Sequence, residues 1–305
     1  MIVYSDLNTV ARDLQIPLAD LYAVSNALDV HYKNAVIPKK NGGKRVLKVP
    51  STYLKNIQRK IAEVLLSQIP ISKYATAYRY GARLKYNALP HVGKNKILKL
   101  DIDGFFDSVL YCRVKEYAFP EYKYCEKARV LLSILCYYGE SLPQGAPTSP
   151  AISNIIMNEF DNTVGKFCES RGISYTRYCD DMTFSGDFDE NEVTHLVKTE
   201  LKKYGFFLKH SKTKVVLKGR RQSVTGIVVN EGLSVQREYK RQIRKEMYYI
   251  KKLGISTHIA NCGFEKDEKG YIASLVGRVN FVLTVEPTNA EMREYFEYLK
   301  SISKK

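Results

Sequence analysis

The chain has 305 residues, 45% hydrophobic and 26% charged, which is the balance of an ordinary globular protein with a large core in two or three lobes. Lys plus Arg number 48 against 32 Asp plus Glu, and the net charge of +16 favours a polyanionic partner, because neutralising phosphates releases counterions. The six cysteines (Cys112, Cys125, Cys136, Cys168, Cys179 and Cys262) form no CxxC pair and have no histidine at zinc-ligand spacing; with no signal-peptide pattern at the N-terminus and no apolar run long enough to cross a membrane, the expectation is a cytoplasmic protein with reduced thiols.

"SDLNTVARDLQIPLADLYAVSNAL" predicts two short helices broken at Pro17, capped by Ser5 or Asp6. In "YKNAVIPKKNGGKRVLKVP" two apolar strands flank Asn41-Gly42-Gly43, a hairpin whose tip carries Lys39, Lys40, Lys44 and Arg45. Ser51 caps a long helix with Leu54, Ile57, Ile61, Val64 and Leu65 on one face, stopped by Pro70. "KILKLDIDGFF" (Lys96 to Phe106) predicts a strand ending at Asp101, and residues 126–138 read as helix. "SLPQGAPTSP" is loop, and Ser149-Pro150 starts a helix running to about Arg171. "ISYTRY" and "MTFSG" predict short strands with Cys179-Asp180-Asp181 at or near their turn. A helix near 190–205 follows, then short strands through "KVVL" and "VTGIVVN". From about Gln236 the texture is helical. Arg237, Lys240, Arg241, Arg244 and Lys245 recur at helical spacing, which predicts one basic face suited to a nucleic-acid backbone, with Tyr239, Ile243 and Ile250 as an apolar stripe.

Asp101, Asp180 and Asp181 form the candidate constellation. An Asp in a turn is ordinary, since its side chain bonds nearby backbone. Here the flanks are β-branched and aromatic, so the pair sits where a sheet packs. Carboxylates clustered there repel, and their pKa values rise. A divalent cation removes that penalty, and an all-oxygen donor set selects a hard ion, Mg²⁺, over zinc or copper. A third carboxylate from a neighbouring strand would suit two ions about 3.5–4 Å apart, the arrangement for in-line phosphoryl transfer. The cations of the hairpin tip would then clamp a triphosphate.

These residues resemble the motifs of reverse transcriptases, in the family's order. The resemblance implies an α+β right-hand polymerase with fingers, a palm built on an antiparallel ferredoxin/RRM-like sheet, and a helical thumb. Its expected parts are an N-terminal helical extension over 1–30, fingers over 31–95, palm over 96–235 with fingers helices at about 110–140, and thumb over 236–305. "LKLDIDGFFDS" resembles the first metal-binding strand, implying Asp101 as ligand with the backbone carbonyl of Ile102 beside it. "LPQGAPTSP" is similar to the loop that supports the incoming nucleotide and template, with Gln144 in it. "YCDD" resembles the Tyr-x-Asp-Asp hairpin, which implies metal and catalytic roles for Asp180 and Asp181 and puts Tyr178 beside the primer end. "GFFLKHSKTK" resembles the lysine motif that follows; Lys212 is preferred to Lys214 as the residue near the phosphates, and His210 stands where Asn is common. The hairpin over 33–48 resembles the one that closes on the triphosphate, implying contacts from Lys39, Lys40 and Arg45. The residue that screens out a ribose 2′-OH is Phe106 or its neighbour Phe105, and the expectation is a preference for dNTPs. Two Mg²⁺ ions are implied as cofactors, with Mn²⁺ as a substitute.

Two further elements, "NALPH" (Asn87 to His91) and "VTG" (Val224 to Gly226), resemble signatures of retron reverse transcriptases. Cys179 departs from the Ala expected there. Asn87 and His91 are assigned to the RNA or to bracing the palm. The resemblance implies a cognate noncoding RNA, priming from an internal guanosine 2′-OH, a branched RNA–DNA product (msDNA), and anti-phage defence with an effector protein. The basic helix is expected on a duplex or hairpin of the RNA, read by shape and 2′-OH contacts. Two alternatives compete: a group II intron-like or diversity-generating enzyme, disfavoured by the two signatures, and a catalytically inactive RNA-binding shell, disfavoured by the intact aspartates.

Overall fold

The computed structural model describes residues 3–38, 42–262 and 267–303. It divides into two compact units. Residues 1–82, 98–184 and 188–215 make the first, and residues 83–97, 185–187 and 216–305 the second.

In the first unit the Asp6 carboxylate accepts from the Thr9 amide (3.0 Å) and starts the helix Leu7–Leu14; Pro17 precedes the helix Leu18–Asn26. β1 (Tyr32–Pro38) and β2 (Lys44–Pro50) pair antiparallel, from Tyr32↔Pro50 to Pro38↔Lys44. Ser51 caps the helix Thr52–Lys60. That helix does not run on unchanged: Ile61–Leu66 widens into a π-helical turn that buries Ile61, Leu65 and Leu66 together. The single helix expected over 149–171 is two, Ser149–Ile156 and Asn158–Ser170, parted at Met157, whose ψ of 2° leaves the helical region.

β3 (Lys96–Asp101), β4 (Ser174–Tyr178), β5 (Asp181–Gly186) and β6 (Lys214–Leu217) form a sheet in the order β4-β5-β3-β6. Leu98, Leu100, Met182 and Phe184 from the sheet share a core with Phe160 and Val164 of Asn158–Ser170 and with Val193 and Val197 of the helix Glu190–Lys203. Helices on one face thus fix the level of strands whose ends carry aspartates.

In the second unit β7 (Ser223–Val224), β8 (Ile227–Val228) and β9 (Ser234–Val235) form a small antiparallel sheet. The β7–β8 turn puts Thr225 and Gly226 at φ 46° and 86°, both positive as a type I′ hairpin turn requires, which accounts for the glycine of "VTG". The helices Arg237–Leu253, Ile255–Cys262, Glu268–Val285 and Ala290–Ser303 complete the unit. Ile243, Met247 and Ile250 form the apolar stripe of the first of them, against Leu275, Val279 and Val282. Among the described residues no helix is long and apolar enough to cross a membrane. Two helical segments carry no clear periodic signal in the sequence: Leu84–Ala88 with its 3-10 extension Leu89–His91, and Tyr111–Arg113 winding on through Val114–Ala118.

Gly165 sits inside the helix Asn158–Ser170, where alanine normally gains about 1 kcal/mol in helix propensity. A Cβ there would stand 2.0 Å from the Tyr74 ring. The sign therefore reverses: Gly165→Ala is expected to lose about 1–3 kcal/mol through overpacking, read as a lower urea midpoint.

Candidate active site

β4 and β5 are joined by Cys179 and Asp180, and Cys179 takes a positive φ of 61°. The Asp180 carbonyl accepts from the Ile102 amide (3.1 Å), which docks the turn on the end of β3 beside Asp101. Ile102 in turn bridges Leu208 antiparallel, with the Asp103 amide on the Phe207 carbonyl (2.9 Å) and the Lys209 amide on the Asp101 carbonyl (2.8 Å). These bonds clip the segment holding Lys209 and Lys212 to the same strand end.

The outcome is a cleft of about 580 Å³ that gathers Asp101, Ile102, Asp180 and Asp181 with Arg45, Phe106, Gln144, Tyr178 and Lys212. Gly145 lets the loop holding Gln144 close on β2: a Cβ there would meet the Lys48 carbonyl at 2.7 Å, and the Gly145 amide donates to that carbonyl at 3.3 Å. Gln144 Nε2 donates to Asp107 (3.5 Å). Of the two phenylalanines, Phe105 is 4% exposed and packs on Phe206 with ring centroids 5.4 Å apart, while Phe106 stays half-buried on the cleft wall. Tyr78, Asp103 and Asp107 also line the cleft, and sequence reasoning did not single them out. The aspartates stand in "DIDGFFDS" next to the residues chosen, so proximity was a usable signal; nothing local marks Tyr78. Lys39 and Lys40 lie outside the described residues.

The charges are tightly arranged. Lys212 Nζ pairs with Asp101 Oδ2 at 2.5 Å, and Lys209 Nζ with Asp103 Oδ1 at 2.6 Å. Asp101 is buried, whereas the Asp181 side chain reaches water. Loss of solvent in the cleft, then the Asp180 charge, a hydrogen bond shared with Asp101 and the Asp101 charge push the Asp181 carboxyl up to about 6; Lys212 pulls the other way. Partial burial pulls the Lys212 ammonium down, but Asp101, Asp180 and Asp181 together raise it.

No group of three or more His, Cys, Asp or Glu side chains among the described residues stands as a ready-formed metal site, and Lys212 meets the Asp101 charge instead. The donor set still fits a hard cation. Three carboxylates converge, two of them share a proton-raising contact, and no thiol or imidazole competes in the cleft beyond the buried Cys179, whose thiol burial pushes up to about 12.

Asn87 and His91 are in the second unit, 1% and 0% exposed. Asn87 Nδ2 donates to Thr225 Oγ1 (3.4 Å), so "NALPH" touches "VTG", and His91 Nδ1 lies 2.7 Å from Ser185 Oγ on β5. Both side chains, assigned to the RNA or to bracing the palm, are therefore interior. The basic helix Arg237–Leu253 also differs from its pattern. Lys240 pairs with Glu286 (2.8 Å), Arg244 with Glu291 (2.8 Å) and Arg241 with Glu238 (3.9 Å); of the predicted five only Lys240 is half-buried, and Arg237, Arg241, Arg244 and Lys245 are exposed.

The model of the family "Reverse transcriptase (RNA-dependent DNA polymerase)" matches residues 37–255. The chain belongs to that family. Its α+β fold is accordingly that of a right-hand polymerase. Among curated proteins it is 33% identical to the Retron Ec83 reverse transcriptase of Escherichia coli over 90% of both chains, and 32% identical to the Retron Mx65 reverse transcriptase of Myxococcus xanthus over 86% of this chain. It spans 63% of the length of the latter. These relatives show the retron type. Among solved structures, a telomerase from Candida albicans matches 89% of this chain and 63% of its own, at 11% identity and a TM-score of 0.48.

The raised Asp181 pKa has a direct consequence. Its folded value of about 6 exceeds the ordinary carboxylate value near 3.8, so without cation the charged form opposes folding as pH climbs through that window. In EDTA, Asp181→Asn is expected to melt higher than the parent at pH 7, with the difference closing at pH 4. Equal melting temperatures at pH 7 would show that the charges are already relieved.

Proposed function

We propose that this chain is a retron reverse transcriptase that copies a cognate structured RNA into DNA from dNTPs, primed from an internal guanosine 2′-OH, to give branched msDNA. The observation that carries the reading is the gathering of Asp101, Asp180, Asp181, Lys212 and Phe106 in one cleft. Asp101, Asp180 and Asp181, with the Ile102 carbonyl, would hold two Mg²⁺ ions, with Mn²⁺ as a substitute. When bound, such ions supply Lewis-acid charge at the primer hydroxyl and the leaving pyrophosphate.

The chain's own groups do the rest. Lys212, paired with Asp101 here, would donate to a phosphate oxygen of the triphosphate. Arg45, together with Lys39 and Lys40, clamps the triphosphate. Phe106 excludes a 2′-OH by bulk, braced by Phe105. Gln144 supports the template and nucleotide, and Tyr178 lies against the primer end. Asn87 and His91 brace rather than bind, as their burial suggests. Residues 31–95 act as fingers, 96–235 as palm and 236–305 as thumb, after a helical extension over 1–30. A cytoplasmic location, argued from the cysteine usage and the N-terminal sequence, completes the proposal, together with an effector protein and anti-phage defence, which rest only on the resemblance to retron enzymes.

Primer extension on an RNA template is expected to need Mg²⁺ and to stop with Asp181→Asn, while nucleic acid copurified from cells should contain RNA–DNA joined at a guanosine 2′-OH. Synthesis by Asp181→Asn would sink the two-ion assignment, and unbranched RNA alone would sink the retron priming. Replacing Arg237, Arg241 and Lys245 together by Ala is expected to reduce the slope of log affinity against log salt by about 2–3 for duplex RNA. An unchanged slope would place the three in solvent.

A further inference from the structure

Arg177 immediately precedes the Tyr178-Cys179-Asp180-Asp181 turn, and its side chain and that of Asp161 are both 0% exposed. A buried ion pair says little about stability, because apolar residues of similar volume often do as well. What sets this pair apart is the direction of its other donors. Nε and Nη2 hold Asp161 (2.8 and 2.5 Å), Nη2 also reaches Asn154 Oδ1 (3.2 Å), and Nη1 donates to the Cys179 carbonyl (2.9 Å).

Both side-chain acceptors are themselves fixed. The Tyr175 hydroxyl donates to Asp161 Oδ1 (2.8 Å), and Asn154 Nδ2 donates to the Ala77 carbonyl (2.9 Å). The Arg177 backbone is held as well: its amide donates to the Tyr74 carbonyl (2.8 Å) and its carbonyl accepts from the Thr76 amide (2.8 Å). Cys179 stands at φ 61°, a region that a residue with a side chain enters only when its surroundings enforce it. Its carbonyl is the one the guanidinium takes, and the next carbonyl, of Asp180, is taken by Ile102. The turn is gripped from the neighbouring strand on one side and from the helices Ser149–Ile156 and Asn158–Ser170 on the other.

We propose that Arg177 is a positioning residue: anchored on Asp161 and Asn154, it holds the Cys179 carbonyl and so sets where Asp180 and Asp181 stand relative to Asp101. This rests on the polymerase reading above. A planar guanidinium can serve three acceptors in fixed directions, and a lysine ammonium cannot.

Two variants of the full chain test it. Arg177→Lys keeps a cation opposite Asp161, and Arg177→Met with Asp161→Leu removes both charges. The readouts are the thermal transition, Mg²⁺ binding by calorimetry without nucleotide, and single-nucleotide addition on a primed RNA template. The double variant is expected to unfold cooperatively like the parent. Mg²⁺ should bind about 10–100-fold more weakly in both, and kcat should fall by a similar factor with little change in KM for dNTP. Parent-like Mg²⁺ affinity and kcat in a folded variant overturn the proposal. If the parent itself adds no nucleotide while the variants still weaken Mg²⁺ binding, the polymerase reading falls and the positioning role stands. If Arg177→Lys fails to fold, the double variant alone decides.

Discussion

Like charges held close together are the constraint around which the first unit is organised. Asp101 ends one strand, Asp181 begins the next, and Asp180 lies in the turn beside them, so a sheet of ordinary hydrogen bonds has to hold groups that push apart. Lys212 relieves part of that repulsion, and the Asp181 carboxyl is raised by loss of solvent first and by the Asp180 and Asp101 charges after it. Little slack is visible in the backbone. The Asp180 carbonyl is tied to Ile102, the Asp101 carbonyl to Lys209, and the Cys179 carbonyl to a guanidinium wedged under the hairpin. Polar groups can be crowded in this way only where each neighbouring donor and acceptor is already committed.

Much of this is local and therefore legible in the residues. The caps at Asp6 and Ser51, the hairpin of β1 and β2, the end of β3 at Asp101 and the strands around Cys179-Asp180 follow from short-range hydrogen bonds and alternation. Other features have no local mark. Neither Pro nor Gly announces the break at Met157 or the widened turn at Ile61, which arise from packing. The Lys212–Asp101 pair joins residues 111 apart, an outcome of sheet order alone. Helical periodicity puts five cations on one face of Arg237–Leu253, yet it is blind to Glu286 and Glu291, which stand 46 and 47 residues further on and take two of them.

The two short signatures illustrate the same division. As strings, "NALPH" and "VTG" are separate and individually weak. In three dimensions Asn87 meets Thr225, and the glycine of the second follows from a turn with two positive φ angles. Their residue types are explained by interior contacts and backbone geometry. Family membership rests on similarity over residues 37–255 and beyond, and these contacts give a physical reason for the residues to occur together.

Phe105 and Phe106 are successive residues with opposite fates, one packed on Phe206 in the core and the other on the wall of the cleft, their rings 5.4 Å apart. A side chain leaning on a core residue inherits that residue's rigidity. On the proposed role of Phe106, sugar discrimination is then a bulk property of the hydrophobic interior as much as of the cleft. Heating, pressure or a distant cavity that softens the packing around Phe206 would blur the distinction between two sugars without touching a single group that meets the nucleotide.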